Sequence, residues 1–154
     1  MQVNLFACKV QVKLQCNLEM RKKLMKRSDC PISKVLDLVG DKWSLLILRD
    51  MLFFGKETYS DLQNSDEKMA TNILSTRLEK LEQEGLISKR ASEQDKRKKL
   101  YKLTEKGIDM LPILLDMIVW SAKYAPDTEI PEGLVKKLKQ DRESVIKHFS
   151  IRIE

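Results

Sequence analysis

TYSDLQNSDEKMATNILSTRLEKLEQEGLISKRASEQDKRKKLYKLT, residues Thr58 to Thr104, decides the fold. Thr58-Tyr59-Ser60-Asp61 opens a short helix: a threonine hydroxyl can take an orphan amide while an acidic side chain three residues on reaches back. Asn64-Ser65-Asp66-Glu67-Lys68 is a polar turn. A second helix follows, from Ala70-Thr71 to Glu84, with Leu74, Leu78 and Leu81 on one stripe and Gly85 free to take a left-handed stop. With Leu74 pointing inward and about 100° per residue, Asn72, Thr76, Glu79 and Gln83 point outward, flanked by Ser75 and Lys80. Leu86 to Ala91 and Leu100 to Thr104 are strand-like, and the connection Ser92 to Lys99 carries Lys96, Arg97, Lys98 and Lys99. Two short helices and a hairpin with a cationic tip outline a winged helix-turn-helix: mainly α with a small β-hairpin wing, in an α+β class.

The rest of the chain supplies a scaffold. Cys30-Pro31 marks a boundary, because proline suits the first helical position. A short apolar helix with Val35, Leu36, Leu38 and Val39 ends at Gly40, and Lys42 to Phe54 is apolar nearly all round, as a core helix is. Trp43, Phe53 and Phe54 then read as packing rather than as a base-stacking platform. Thr104 should cap a helix whose apolar residues, Ile108, Leu111, Leu114, Leu115, Ile118, Val119 and Trp120, exceed one contact stripe. Such a surplus calls for a second partner, most simply another copy of the chain. Pro112 should break or kink that helix. Ala125 to Gly133 reads as a loop and Leu134 to Phe149 as one final amphipathic helix. The organisation expected is a basic arm over 1–28, a winged-helix domain over 29–125 and a C-terminal helix in 126–154, packed on the domain or at a dimer interface.

Composition bounds the function. There are 29 basic and 23 acidic residues, a net charge of +6, which favours a polyanionic partner. The arm carries Arg21, Lys22, Lys23, Lys26 and Arg27, either a solvated tail or added phosphate contacts; Met20 and Met25 are alternative starts. Ahead of it, Val10, Val12, Leu14, Cys16 and Leu18 alternate as a strand would. Cys8, Cys16 and Cys30 form no C-x-x-C pair and His148 is the only histidine, so no metal or other cofactor is expected. An odd cysteine count and the lysine content suit a reducing cytoplasm. The apolar run Leu111 to Trp120 is too short to span a bilayer, so no membrane partner is expected. No histidine, paired carboxylates or glycine-rich phosphate loop in the central region supports an enzyme.

The residues resemble the HxlR-type regulators of the MarR-like superfamily from about Asp29 to Tyr124. The resemblance is carried by Cys30-Pro31-Ile32, Gly40-Asp41-Lys42-Trp43, Leu46-Ile47-Leu48-Arg49-Asp50, Phe54-Gly55, Tyr59-Ser60-Asp61-Leu62, Ile73-Leu74-Ser75-Thr76-Arg77-Leu78, Leu81 to Ile87, Tyr101 to Gly107 and Leu111-Pro112-Ile113-Leu114. It implies a cytoplasmic, nucleoid-associated transcription factor that binds a palindromic operator as a homodimer and responds to a small-molecule or oxidant effector. The wing Asp95-Lys96-Arg97 is closer to the Asp-x-Arg wing of the wider MarR group, with Asp95 positioning Arg97 at the minor groove. Where relatives often carry a serine cap this chain has Ala70, which moves the expected cap to Thr71.

On this reading residues 70–84 lie in the major groove and 92–99 on the minor groove. Thr71 stands at the entry of the reading helix; Asn72, Ser75 and Thr76 face base edges. Arg77, Lys80, Arg97, Lys98 and Lys99 contact phosphate, though Arg77 points closer to the core stripe and could instead pair with an acidic neighbour. Glu79 must accept from a cytosine amine or pair locally. Cys30, at a helix entry near Lys26 and Arg27, is either a candidate redox sensor or a small apolar side chain. A protein-binding winged helix without specific DNA binding is the alternative function; it calls for a more apolar face on 70–84.

Overall fold

The computed structural model describes residues 29–93, 95–125 and 127–151. The arm and the alternating stretch before it lie outside these residues. The chain divides into two units, 1–37 and 38–154. Cys30, in the first, is exposed ahead of helix α1, Pro31–Val39, which has proline at its first position as expected and whose last two residues belong to the second unit. The second holds the core, built around α2, Lys42–Phe54. Ile47, Leu48, Met51 and Leu52 of α2 are all buried. Asp41 caps its amino end, and Gly55 closes it at φ 63°.

The reading head follows in the expected order. Thr58 and Asp61 form a capping box at the start of α3, Tyr59–Gln63. Next come α4, Thr71–Gln83, and the antiparallel strands β1, Ile87–Ala91, and β2, Lys99–Leu103. Leu74, Leu78 and Leu81 bury the inner stripe of α4. At its carboxyl end the Leu86 amide donates to the Leu81 carbonyl and Gly85, at φ 70°, donates to Glu82, the double closure a left-handed glycine permits. At its amino end the sequence reading needs correction. The cap position is Ala70, without a side-chain cap, and Thr71 is already helical. The first amides of α4 are therefore left for another acceptor.

Helix α5, Glu105–Ile108, is capped by Thr104, and the expected break precedes α6, Leu111–Tyr124, placing Pro112 in its first turn. The single final helix expected over Leu134 to Phe149 is two: α7, Leu134–Gln140, and α8, Arg142–Ile151. Asp141 separates them, because its carboxylate takes the Ser144 amide at 3.0 Å and starts a new helix instead of continuing the old one. These helices pack on α6 and α2, with Phe149 edge-on to Phe53 at 5.0 Å. Arg142 ties α8 to α6 through Asp116 at 2.8 Å and the Pro112 carbonyl at 3.2 Å.

Asp50 is the buried charge that fastens α2 to the turn before α4. It is 2% exposed, with Arg49 at 2.7 Å and Lys56 at 2.9 Å, while Arg49 also reaches Glu67. Burial alone would raise the pKa of its carboxyl, but hydrogen bonds with Ser65, Lys56 and Arg49 outweigh it and hold the group below the ordinary carboxylate value. Asp50→Asn is expected to cost about 2 kcal/mol at neutral pH, the scale of a charged hydrogen bond. A carboxylate with a depressed folded pKa stabilises above its unfolded value, about 3.9, and loses that contribution as pH falls through the folded one. The gap between wild type and Asp50→Asn in urea denaturation should thus be constant above about pH 5 and close in acid.

Candidate nucleic-acid interface

Helix α4 presents one polar face. Thr71, Asn72, Thr76, Glu79 and Gln83 are exposed, and Ser75, Arg77 and Lys80 are half-buried beside them. The hydroxyls differ in freedom. Thr76 Oγ1 donates to the Asn72 carbonyl at 2.8 Å, which leaves it an acceptor. Ser75 Oγ lies 3.2 Å from the Tyr59 hydroxyl, and that hydroxyl also donates to the Thr71 carbonyl at 3.0 Å. Asn72 has no such tie, so its amide can offer both donor and acceptor to an adenine edge.

Tyr59 is a further site residue, one whose partners no local pattern marks. Standing at the start of α3, it pins the first turn of α4 through Thr71 and Ser75. Gln63 closes the other end of the turn by donating to the Met69 carbonyl at 2.6 Å. An aromatic residue one position after a capping threonine was the available signal; its partner twelve residues away was not.

The hairpin stands beside this face. β1 and β2 pair in register from Ile87 with Leu103 to Ala91 with Lys99, and Thr58 bridges Leu100 as a third, minimal strand. The Tyr101 amide donates to the Glu57 carbonyl at 2.7 Å. The wing root is thereby tied to the segment that starts α3, and α3 to α4. At the tip, Lys96, Arg97, Lys98 and Lys99 are exposed. Asp95 accepts the Arg97 amide at 3.0 Å, a local turn that fixes the backbone from which Arg97 projects. Among the described residues, Arg97, Lys98 and Lys99 form no ion pair with a carboxylate, so their charge is uncommitted.

Arg77 and Lys80 are placed differently. Arg77 Nε is 3.1 Å from Asp41 Oδ1, and Lys80 Nζ is 4.0 Å from Asp41 Oδ2. The acidic neighbour open to Arg77 on the sequence reading is thus Asp41, 36 residues earlier. Cys30 lies in the other unit, at the start of α1.

Outside the reading head an apolar surface stands open on α6. Ile113, Met117, Trp120 and Tyr124 of α6 are exposed, whereas Leu111, Leu114 and Leu115 face the core. Among the described residues no helix is long and apolar enough to cross a membrane.

Residues 38–129 match the family model described as an HxlR-like helix-turn-helix. The chain is 32% identical over 95 residues to YdeP of Bacillus subtilis, an HTH-type transcriptional regulator, covering 62% of this chain and 73% of YdeP. Mycobacterial regulators of the same description are 33% identical over 70% of this chain, which spans 65% of their length. Among solved structures it is similar to PA1607, a proposed transcription factor, with a TM-score of 0.61 and 36% identity over 68% of this chain and 73% of that one. It is also similar to the redox regulator HypR in its reduced form, with a TM-score of 0.53 and 27% identity over 61% of this chain and 92% of that one.

Proposed function

The chain belongs to the HxlR-like helix-turn-helix family, and from that premise we propose that it is a sequence-specific DNA-binding transcriptional regulator. It acts as a homodimer on a palindromic operator, with α4 in the major groove and residues 92–99 on the adjacent minor groove. One observation carries this reading: an exposed hydrogen-bonding face on α4 beside a hairpin tip where Arg97, Lys98 and Lys99 form no ion pair among the described residues. Asn72 is the base reader, with Thr76 as acceptor and Ser75 adding contacts at the cost of its link to Tyr59. Lys80, Arg97, Lys98 and Lys99 take phosphates and set register. The uncapped amides at Thr71 complete the set, because a free helix amino end favours a phosphate oxygen.

The dimer follows from α6. Ile113, Met117, Trp120 and Tyr124 recur at intervals of four, three and four, the spacing of a helix–helix seam, and all four are exposed. A second copy buries the same stripe about a two-fold axis, which presents two reading heads to the two halves of a palindrome. A protein-binding role without DNA is less well matched, since the outer face of α4 is polar.

Salt dependence tests the reading. Four phosphates per subunit give a slope of about −7 in log affinity against log salt, at about 0.9 per phosphate. Fluorescence anisotropy on a promoter fragment from beside the gene checks it: a slope near zero removes the charged hairpin as a phosphate clamp.

A further inference from the structure

We propose that Arg77 is a positioning residue, a strut that fixes the rotation of α4 against α2 through Asp41, and that it spends its charge there rather than on phosphate. The inference rests on the DNA-binding reading and deepens it, by naming what aims the reading face.

The geometry starts at Asp41. As the cap of α2 its carboxylate is held by two hydrogen bonds from one residue: the Ser44 amide donates to Oδ1 at 3.0 Å and the Ser44 hydroxyl to Oδ2 at 2.7 Å. Ser44 is fully buried, at 0% exposure, so this carboxylate is a fixed point on the scaffold rather than a mobile surface charge. Among the described residues, the cations that pair with it belong to the reading helix, Arg77 at 3.1 Å and Lys80 at 4.0 Å. Arg77 Nε is buried, and its N–H misses the alignment of a hydrogen bond to Asp41. The link is therefore one of charge at short range, made through an Nε that is itself out of contact with solvent. Lys80 sits at the outer limit of ion pairing on a longer, flexible stem, and remains able to leave for phosphate.

A strut here matters because of where it acts. Arg77 follows Thr76 directly, on the flank between the reading face and the buried stripe. Its opposite number is Tyr59, which holds only the first turn of α4. A side-chain tip about 5 Å from the helix axis moves about 2 Å when the helix rolls by 20°, and hydrogen bonds to base edges do not survive that displacement. Leucines on a single stripe resist translation better than roll, so a lateral tie at mid-helix is the missing constraint.

The test uses the full-length protein with two probes, a duplex selected from a random library by the wild type and an unrelated duplex. Asp41→Asn keeps the cap, since asparagine caps as well as aspartate, and removes the charge; Arg77→Gln removes the other end. Each is expected to weaken the selected duplex about tenfold and to leave the unrelated duplex and the salt slope unchanged. The double variant is expected to be no weaker than either single one, as for a coupled pair, and Arg77→Lys to restore part of the loss. A salt slope shallower by about 1.8 per dimer in Arg77→Gln, at about 0.9 per phosphate, makes Arg77 a phosphate ligand and overturns the strut. So does specific binding unchanged by Asp41→Asn. If the wild type binds no duplex at all, the regulator reading fails separately. The strut is then judged by amide hydrogen exchange: faster exchange along α4 in Asp41→Asn supports it, and unchanged exchange overturns it.

Discussion

Trp120→Glu is expected to give a folded monomer that binds an operator fragment about 10²–10⁴-fold more weakly than the wild type, the range lost when two linked sites become one. Trp120 is 65% exposed, so within one subunit the change replaces apolar surface by a charge and should alter folding stability by no more than about 0.5 kcal/mol. In a symmetric seam the same change places two carboxylates near the two-fold axis, opposite Met117 and Tyr124 or their copies. Their desolvation is uncompensated, and the interface opens. Light scattering coupled to size exclusion reads the mass, far-ultraviolet circular dichroism the helix content, and anisotropy the affinity. A dimer of unchanged mass would remove α6 from the interface. A monomer that kept full affinity would remove the two-fold reading of the operator instead.

The stripe behind this expectation was only partly legible in the sequence. An apolar surplus on Leu111 to Trp120 was evident, but the division of labour was not: Leu114 and Leu115 face inward, whereas Ile113 and Met117 face out. Periodicity locates a helix and its apolar total; which arc of a wide arc is covered depends on neighbours distant in sequence. The same distinction runs through the reading head. The capping box, the leucine stripe and Gly85 are local signals, and α3, α4 and the hairpin stand where they point. Asp41 with Arg77 and Tyr59 with Ser75 are tertiary pairs, and a chain read in order gives each member without its partner. Ala70 and Asp141 misled for another reason. A cap position does not require a polar side chain, and an aspartate inside an amphipathic pattern can start a new helix by capping it.

Gly107→Ala is the substitution expected to cost most in stability. Gly107 sits in α5 with an ordinary helical backbone, where alanine should gain about 1 kcal/mol over glycine. The space forbids it: a β-carbon there meets the Leu86 carbonyl oxygen at 2.1 Å and Leu103 Cδ2 at 3.0 Å. The leucine side chain can give way, but the carbonyl cannot move freely, because it accepts the Thr104 amide at 3.1 Å while the Thr104 hydroxyl holds the adjoining Gly85 carbonyl at 2.6 Å. One residue's backbone thus joins three things: its amide closes the end of α4, its carbonyl caps the return from β2, and α5 packs against it. Overpacking at such a point is expected to cost about 3 kcal/mol net, or a midpoint lower by about 6–12 °C for a domain of this size. Thermal and urea denaturation check the figure, and a midpoint raised instead would mean that α5 slides away without strain. By contrast, Gly55→Ala meets open space and carries only the left-handed backbone penalty, about 1–2 kcal/mol. With a starting stability of at least about 5 kcal/mol, Gly107→Ala remains more than about 95% folded at 25 °C. Any loss of DNA binding at that temperature therefore measures displacement of the wing from α4 rather than unfolding, because Leu86 is the hinge through which the reading helix hands its direction to the hairpin.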